Sequence, residues 1–490
     1  MQAVAAGHTV LAPNAELTAA LFDAVERAHL AAGRDIWQTP RVRDFGSWLR
    51  ERHAGRQLDD PDSCRVLTSI DERELWRAVI DSSGGGADVL DPAGAARAAR
   101  RARRAIFEYG IPLRAVAEHA AASDESRAFI DWNRQFGERC RALNCISADE
   151  LLERTLPPPQ PLTWIDSPAW RPMAHQWLKR HGRMLSASFP VSRTAYCVHA
   201  ISPAAELAAI AEWSRENLSS AARFRAWICI PDLSRRRPEV VDAFDSVLAP
   251  QRFSLDDGGA AAPYAIAGGT PLADYAPVRA ALSMLAASVG EVSFQQWSAL
   301  LRAPELQSDA ADAGAAALVD VQLRRLGPSE ADLPQWLALT EKIAAAHPIA
   351  HLGALPRLQG ARRALDVLRG SHPVSRWVAA WLGALHAAPW ALRHRWSSTE
   401  YQAAERFREL LAELAAADAL FGSQSAGSAQ SILRRAAQDT AFQVQTGVPP
   451  IWVSGQLIDP WLNYDGLWVS GCNDERWPAR VDPIPLLPVS

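Results

Sequence analysis

Short β-prone runs open this chain, come back after each of two long helical stretches, and lie close to its end. That order restricts the available folds more than any other feature. Thr9-Val10-Leu11-Ala12 is a compact apolar run halted by Pro13-Asn14, after which Leu17, Ala20, Leu21, Ala24, Val25 and Ala28 recur at helical spacing, making one βα unit. Trp37-Gln38-Thr39-Pro40 marks a second element leading into an amphipathic stretch from Val42 to Leu49. From Glu72 to about Leu156 the pattern is helical almost throughout. Pro157-Pro158-Pro159-Gln160-Pro161 is then a stiff, extended break, and Leu162-Thr163-Trp164-Ile165-Asp166 behind it reads as a buried strand ending in a carboxylate. Thr194 to His199 reads as an alternating strand, Ala204 to Leu218 as a helix, and Arg225 to Ile230 as a strand ended by Pro231-Asp232. Ala276 to Thr440 is helical again, with no clear repeat period, and strand-like runs return at Pro450 to Val453 and Gly466 to Ser470.

Strands alternating with helices of this length imply parallel sheets covered on both faces, and the long helical blocks are then insertions into two sheet domains. A length of 490 residues agrees, since a single core stops growing near ~250 to 300 residues. The expected fold class is α/β with large helical insertions. The first sheet domain would take 1–75 and 160–194 around an insertion at 76–159, and the second 195–260 and 445–490 around an insertion at 261–444.

Composition narrows the function classes less than the pattern does. With 51 basic and 55 acidic residues the formal net charge is −4, so any nucleic-acid binding must come from a local patch. Only Lys179 and Lys342 are lysines; nearly all the positive charge is arginine, which favours planar, bidentate contacts to carboxylate or phosphate. The six cysteines are scattered without a C-x-x-C pair, so neither a disulfide framework nor a metal site is indicated, and no cofactor is implied. No signal peptide and no run of about 18 apolar residues is present, which sets the expectation of a cytoplasmic protein with no membrane partner.

The segments that carry these strands resemble a known group. His8-Thr9-Val10-Leu11-Ala12-Pro13-Asn14 followed by a helix resembles the opening strand of the helicase-like AddB family of recombination proteins, and Trp37-Gln38-Thr39-Pro40 with Ser47-Trp48-Leu49 resembles its next element. The tail is the most specific part. Val453-Ser454-Gly455-Gln456-Leu457, then Tyr464-Asp465-Gly466-Leu467-Trp468-Val469-Ser470-Gly471-Cys472-Asn473-Asp474-Glu475-Arg476-Trp477-Pro478, is similar to the closing stretch of the helicase-like part of that family. The resemblance spans essentially the whole chain and is diffuse outside the tail. It implies two RecA-like domains as in superfamily 1 helicases, a role in DNA repair and recombination, and DNA as the partner, single-stranded or as a tailed duplex. A helicase–nuclease partner subunit or a C-terminal nuclease domain is a further implied partner.

The chemistry of an active motor is not recognisable in this chain. ATP hydrolysis on such a fold uses a glycine-rich loop, a lysine on the β- and γ-phosphates and a Ser/Thr on Mg²⁺, and neither Lys179 nor Lys342 follows a glycine loop. Met1 to Gly7 is too short for the strand and loop that come earlier in working helicases. Asp166 falls where the resemblance puts a magnesium-binding carboxylate, but Ser167 follows it in place of a second one. Pro231 falls near the position of an arginine that would meet the γ-phosphate, and Pro460-Trp461 stand where a motor has Lys/Arg-Gly. These are expected to be degenerate nucleotide-site positions in an inactivated helicase. The plainer reading of Asp166 is a strand-end carboxylate capping the next helix. No nuclease pattern is present either, so the sequence is expected to be the N-terminal part of a longer repair protein or a shortened relative.

DNA binding is the function left. Arg97, Arg100, Arg101, Arg103 and Arg104 crowd one helix, where like charges at i,i+3 and i,i+4 destabilise unless an anion lies against them. The alternative is a solvated helix paired with Asp88, Asp91 and Glu108. Arg235-Arg236-Arg237 forms a second basic candidate. Trp37, on the loop after the first βα unit, is a candidate for stacking on an unpaired base, and Asn14 for a phosphate contact. The competing functions are a divergent DNA-dependent ATPase, with Asp166 as its magnesium ligand, and a helical scaffold that binds only proteins.

Overall fold

A computed structural model describes residues 8–60, 62–83, 91–120, 123–158, 162–186, 194–220, 223–253, 262–347, 352–390, 396–444, 449–474, 476–477, 484 and 486–487. The chain is a mixed, predominantly helical α/β protein with several small sheets. It forms two compact units, one of Met1–Ala265 with Pro449–Ser490 and one of Ile266–Val448. Among the described residues no helix is long and apolar enough to cross a membrane.

The first unit holds two four-stranded sheets. In the first, the strand order is Val42–Asp44, Thr9–Ala12, Leu162–Ile165, Arg183–Leu185, and every pairing is parallel. Alternation along Thr9–Ala12 explains why the strand is apolar on both faces. Val10 and Ala12 join Leu17, Val42 and Ile165 on one face, while Leu11 joins Phe45, Trp48, Leu49, Trp164 and Leu178 on the other. The helix that follows starts at Ala15 because the Asn14 side chain accepts the Leu17 N–H at 2.9 Å. Asp44 caps the next helix in the same way, taking the Gly46 and Ser47 amides.

In the second sheet Ala226–Cys229 is central. Gly466–Val469 and Ile451–Ser454 pair with it in parallel, and Tyr264–Ile266 lies beyond Ile451–Ser454. All four central residues are buried. Gly466 cannot carry a side chain, since a Cβ there would meet the Trp213 ring at 2.7 Å and Phe224 at 2.8 Å. The helical block between the first and third strands of the first sheet belongs to the same unit. A two-residue parallel bridge, Arg65–Val66 with Cys145–Ile146, ties its two ends together, and Trp76 stacks on Phe136 inside it at 4.2 Å.

Three local readings change. Trp37 to Pro40 forms no regular element; the strand begins at Val42, and the ring of Pro40 leaves that residue without the N–H a ladder needs. Thr194 to His199 is not a strand. The segment is exposed throughout and has no ladder partner among the described residues, so its alternation finds no sheet to pack on. Asp166 does not cap the next helix, which starts six residues later at Pro172 with Arg171 as its N-cap. Pro159 to Pro161 lie outside the described residues.

The second unit is helical, and four of its helices start in two tied pairs. Glu291–Ser293 bridges Glu330–Asp332 antiparallel, and each leads directly into a helix closed by a capping box, Ser293 with Gln296 and Asp332 with Gln335. A tryptophan sits at the fourth helical position of both. Trp336 donates to the Val292 carbonyl at 2.9 Å, Trp297 donates to Thr340 Oγ1 at 3.1 Å, and the two rings stack at 5.9 Å. His372–Pro373 and Ser423–Gln424 repeat the bridge, and Trp377, again fourth in its helix, donates to the Gln424 carbonyl at 2.8 Å. The repeat lies in the helix starts and not in their spacing, so periodicity along the chain does not reveal it. Trp336→Phe is expected to destabilise this unit by about 1–3 kcal/mol, because it removes the buried indole bond to the Val292 carbonyl and leaves the Trp297 ring partly unpacked. Urea unfolding of the variant measures it.

Candidate nucleic-acid interface

The arginine-rich segment is one helix, Pro92–Tyr109, started by the Asp91 side chain on the Gly94 amide with Pro92 at its first position, and ended by Gly110 at φ +66°. Small residues make its inner face: Ala96, Ala99, Ala102 and Ala105 are buried together with Ile106. Two arginines turn inward. Arg103 is buried, donates to Asn133 Oδ1 at 2.6 Å and to Glu150 Oε1 at 2.8 Å, and lies over the Phe107 and Phe136 rings. Arg100 reaches Glu72 at 2.9 Å, whose side chain is only 4% exposed. These two hold the helix to its neighbours, and Arg103 in particular has no surface to offer a phosphate.

The outward residues are Arg97, Arg101 and Arg104. Arg97 stands 3.5 Å from Asp91 and Arg104 2.8 Å from Glu108, both largely exposed. The pairings expected for a solvated helix therefore occur at Asp91 and Glu108, while Asp88 lies outside the described residues. The Arg97–Asp91 pair, exposed on both sides, is worth little and exchanges readily for phosphate, whereas Glu108 is only 19% exposed.

Burial raises the Glu72 carboxyl above its ordinary value of 4.5, with Arg100 opposing, and burial likewise raises Asp149, opposed by Arg104 and Arg100. A carboxyl raised in the folded state contributes stability that is present below the unfolded value and lost as pH rises through the folded one. The contribution of these two carboxyls to stability is therefore expected to fall as pH rises above about 4.5, and Glu72→Gln to flatten that part of the profile relative to the parent. Thermal unfolding across pH 4 to 7 reads both, at about one-unit intervals. Arg100→Ala is expected to cost about 1–3 kcal/mol by stranding Glu72, whereas Arg97→Ala stays within about 0.5 kcal/mol of the parent, as chemical denaturation will show.

The second basic run sits where the Ala226–Cys229 strand passes through Pro231 into the helix Leu233–Leu248. Asp232 is the centre of this corner. Arg235 lies 3.1 Å, Arg476 3.5 Å and Arg236 3.8 Å from its carboxylate. Arg236 is buried and also bonds Glu239 and the Pro203 carbonyl, so it is a structural member. Arg235 is 79% exposed, and Arg237 is half-buried on the next turn. Pro231 is half-buried ahead of the helix. Arg476 has no signal of its own in the sequence beyond its place in the tail; Gly471 at φ +66° brings the chain round so that the arginine packs against it, while the Gly471 amide donates to Glu206 at 2.9 Å. The corner thus gathers three guanidinium groups around one carboxylate at the C-terminal end of a parallel sheet, the edge at which α/β folds bind ligands.

The other candidates are distributed along the first sheet. Asn14 spends its side-chain oxygen on the helix cap, and Trp37 is half-buried and stacked on His29 at 5.1 Å, with an interplanar angle of 11°. Asp166 is exposed, with Ser167 beside it donating to Asp459 at 2.5 Å. Pro460 is exposed. Among the described residues no three His, Cys, Asp or Glu side chains are grouped to hold a metal ion, and Cys140 and Cys145 are buried free thiols. No protein-family model matches this chain, and no curated protein matches it either.

Proposed function

We propose that this chain is a catalytically inactive, helicase-like DNA-binding module of the AddB-like kind. It would hold single-stranded or tailed DNA for a nuclease or a partner motor during double-strand-break repair. The observation that carries the reading is topological: each of two four-stranded sheets is completed by strands that lie far apart in the sequence, with long helical segments between them. That order supports the reading of two RecA-like domains with insertions, and it agrees with the resemblance of the opening strand and the tail. Positive side chains that stand outward, Arg97, Arg101 and Arg104 on the helix and Arg235 at the second sheet's corner, supply phosphate contacts in this reading. The positions Asp166, Pro231 and Pro460 are then remnants of a nucleotide site.

The test is the triple variant Arg97→Ala, Arg104→Ala, Arg235→Ala, which leaves the inward arginines Arg100, Arg103 and Arg236 in place. Anisotropy titrations of a tailed duplex over a salt series are expected to show weaker binding, with the slope of log K against log salt reduced by about 0.9 for each phosphate no longer neutralised. An unchanged slope removes these arginines from the interface. Absence of binding even at low salt favours the protein-only scaffold, and DNA-stimulated hydrolysis that Asp166→Asn abolishes favours the divergent ATPase.

A further inference from the structure

In a parallel sheet, strand ends, loop amides and helix starts converge on the C-terminal edge, which is therefore the ordinary ligand position. In the first sheet that edge is met by chain from the second. Between the Ile451–Ser454 and Gly466–Val469 strands, Asp459, Pro460, Trp461 and Leu462 make a tight turn. The Leu462 amide donates to the Asp459 carbonyl at 2.9 Å, and proline stands at the second position, where its fixed φ is favourable. Asp459 then acts in two directions: one carboxylate oxygen accepts the Trp461 amide at 3.0 Å, and the other accepts the Ser167 hydroxyl. Trp461 donates its indole N–H to the Asp166 carbonyl, at the end of the Leu162–Ile165 strand.

Apolar packing follows the same path. Trp461 and Leu462 pack on the Val10, Ala12, Leu17, Val42 and Ile165 cluster of the first sheet, and Leu462 also packs on the Trp227, Cys229 and Tyr464 cluster of the second. A second tie lies beside it, where Arg225 stands 3.8 Å from Asp23 and lies over the Tyr464 ring at 4.8 Å.

We propose that the Asp459–Leu462 turn is a built-in strap that fastens the second sheet to the C-terminal edge of the first, so that the two move as one body and a ligand reaching that edge must displace Trp461. A hinge between sheets needs an interface that opens while its buried groups stay paired; here a hydroxyl–carboxylate bond, an indole bond and a shared leucine would all have to break together. The inference rests on these bonds and stands whether or not the chain meets DNA.

Hydrogen exchange on the full chain tests it, using Trp461→Ala and the milder Trp461→Phe, which keeps a ring but lacks the N–H. Peptides covering 162–170 and 455–470 are the reporters, and 291–301 with 330–343 in the helical unit are the controls. Trp461→Ala is expected to speed exchange in both reporter regions by about tenfold, and Trp461→Phe by less, with the controls unchanged. No change at 162–170 in Trp461→Ala overturns the proposal, as does acceleration limited to 455–470, since the turn would then loosen without freeing the first sheet. If Trp461→Ala loses protection in the controls as well, Trp461→Phe decides: faster exchange at 162–170 supports the strap, and unchanged exchange there overturns it.

Discussion

Burial of the Thr9–Ala12 and Leu162–Ile165 strands on both faces is the constraint on which the first sheet rests. A strand covered on both sides is mostly apolar, the buried Thr163 being paired with His8 at 2.9 Å, so its neighbours in space have to supply two separate layers of side chains. Here those layers come from opposite ends of the unit: the helices after Asn14 and Asp44, the helix around Leu178, and the turn at Trp461. Charged groups are thereby kept to the strand ends. Asp166, Ser167 and Asn14 collect at one edge because that is where the chain leaves the sheet; Asn14 is used for a local cap, while Ser167 and the Asp166 carbonyl bond the remote turn at Asp459 and Trp461.

Arginine is nearly the only cation in this protein, and the structure separates its uses. Where a guanidinium faces inward it finds a carboxylate and an aromatic or amide surface, as Arg103 does between Glu150, Asn133 and two phenylalanine rings. The planar fork suits such sites, and its loss would leave the partners stranded. On the outward side of the same helix, Arg97 keeps an exposed pair with Asp91 and Arg104 reaches Glu108 with its own guanidinium exposed. One helix can thus be a structural strut on one side and a charged surface on the other, and the number of its arginines says nothing about how many face each way.

That division marks the limit of what the residues disclose by themselves. The βα opening, the Leu162–Ile165 and Ala226–Cys229 strands, the helix from Pro203 and the long helical blocks are legible because apolar period and proline punctuation decide them locally. Thr194 to His199 misleads because alternation signals a strand only when a sheet edge lies nearby, and pairing is a long-range property. For the candidate site, the crowding of Arg97 to Arg104 is visible in the sequence, but the inward turn of Arg103 depends on Glu150 and Asn133, remote along the chain. Arg476 joins the Asp232 corner through the fold, and Trp461 reaches Asp166 across 295 positions of the chain.

The tied helix starts of the second unit carry a consequence for how such a chain can change. Each pair is registered at its base by a two- or three-residue bridge and an indole bond to the partner segment. Helix ends away from that base are not registered by it, so the connecting segments are at liberty to grow or shrink, and closing a longer loop adds only about 0.6 kcal/mol for each doubling of its length. Length changes between the helices would thus leave the bases intact, with Ser293, Phe294 and Trp297 and their counterparts Asp332, Leu333 and Trp336 as the fixed points.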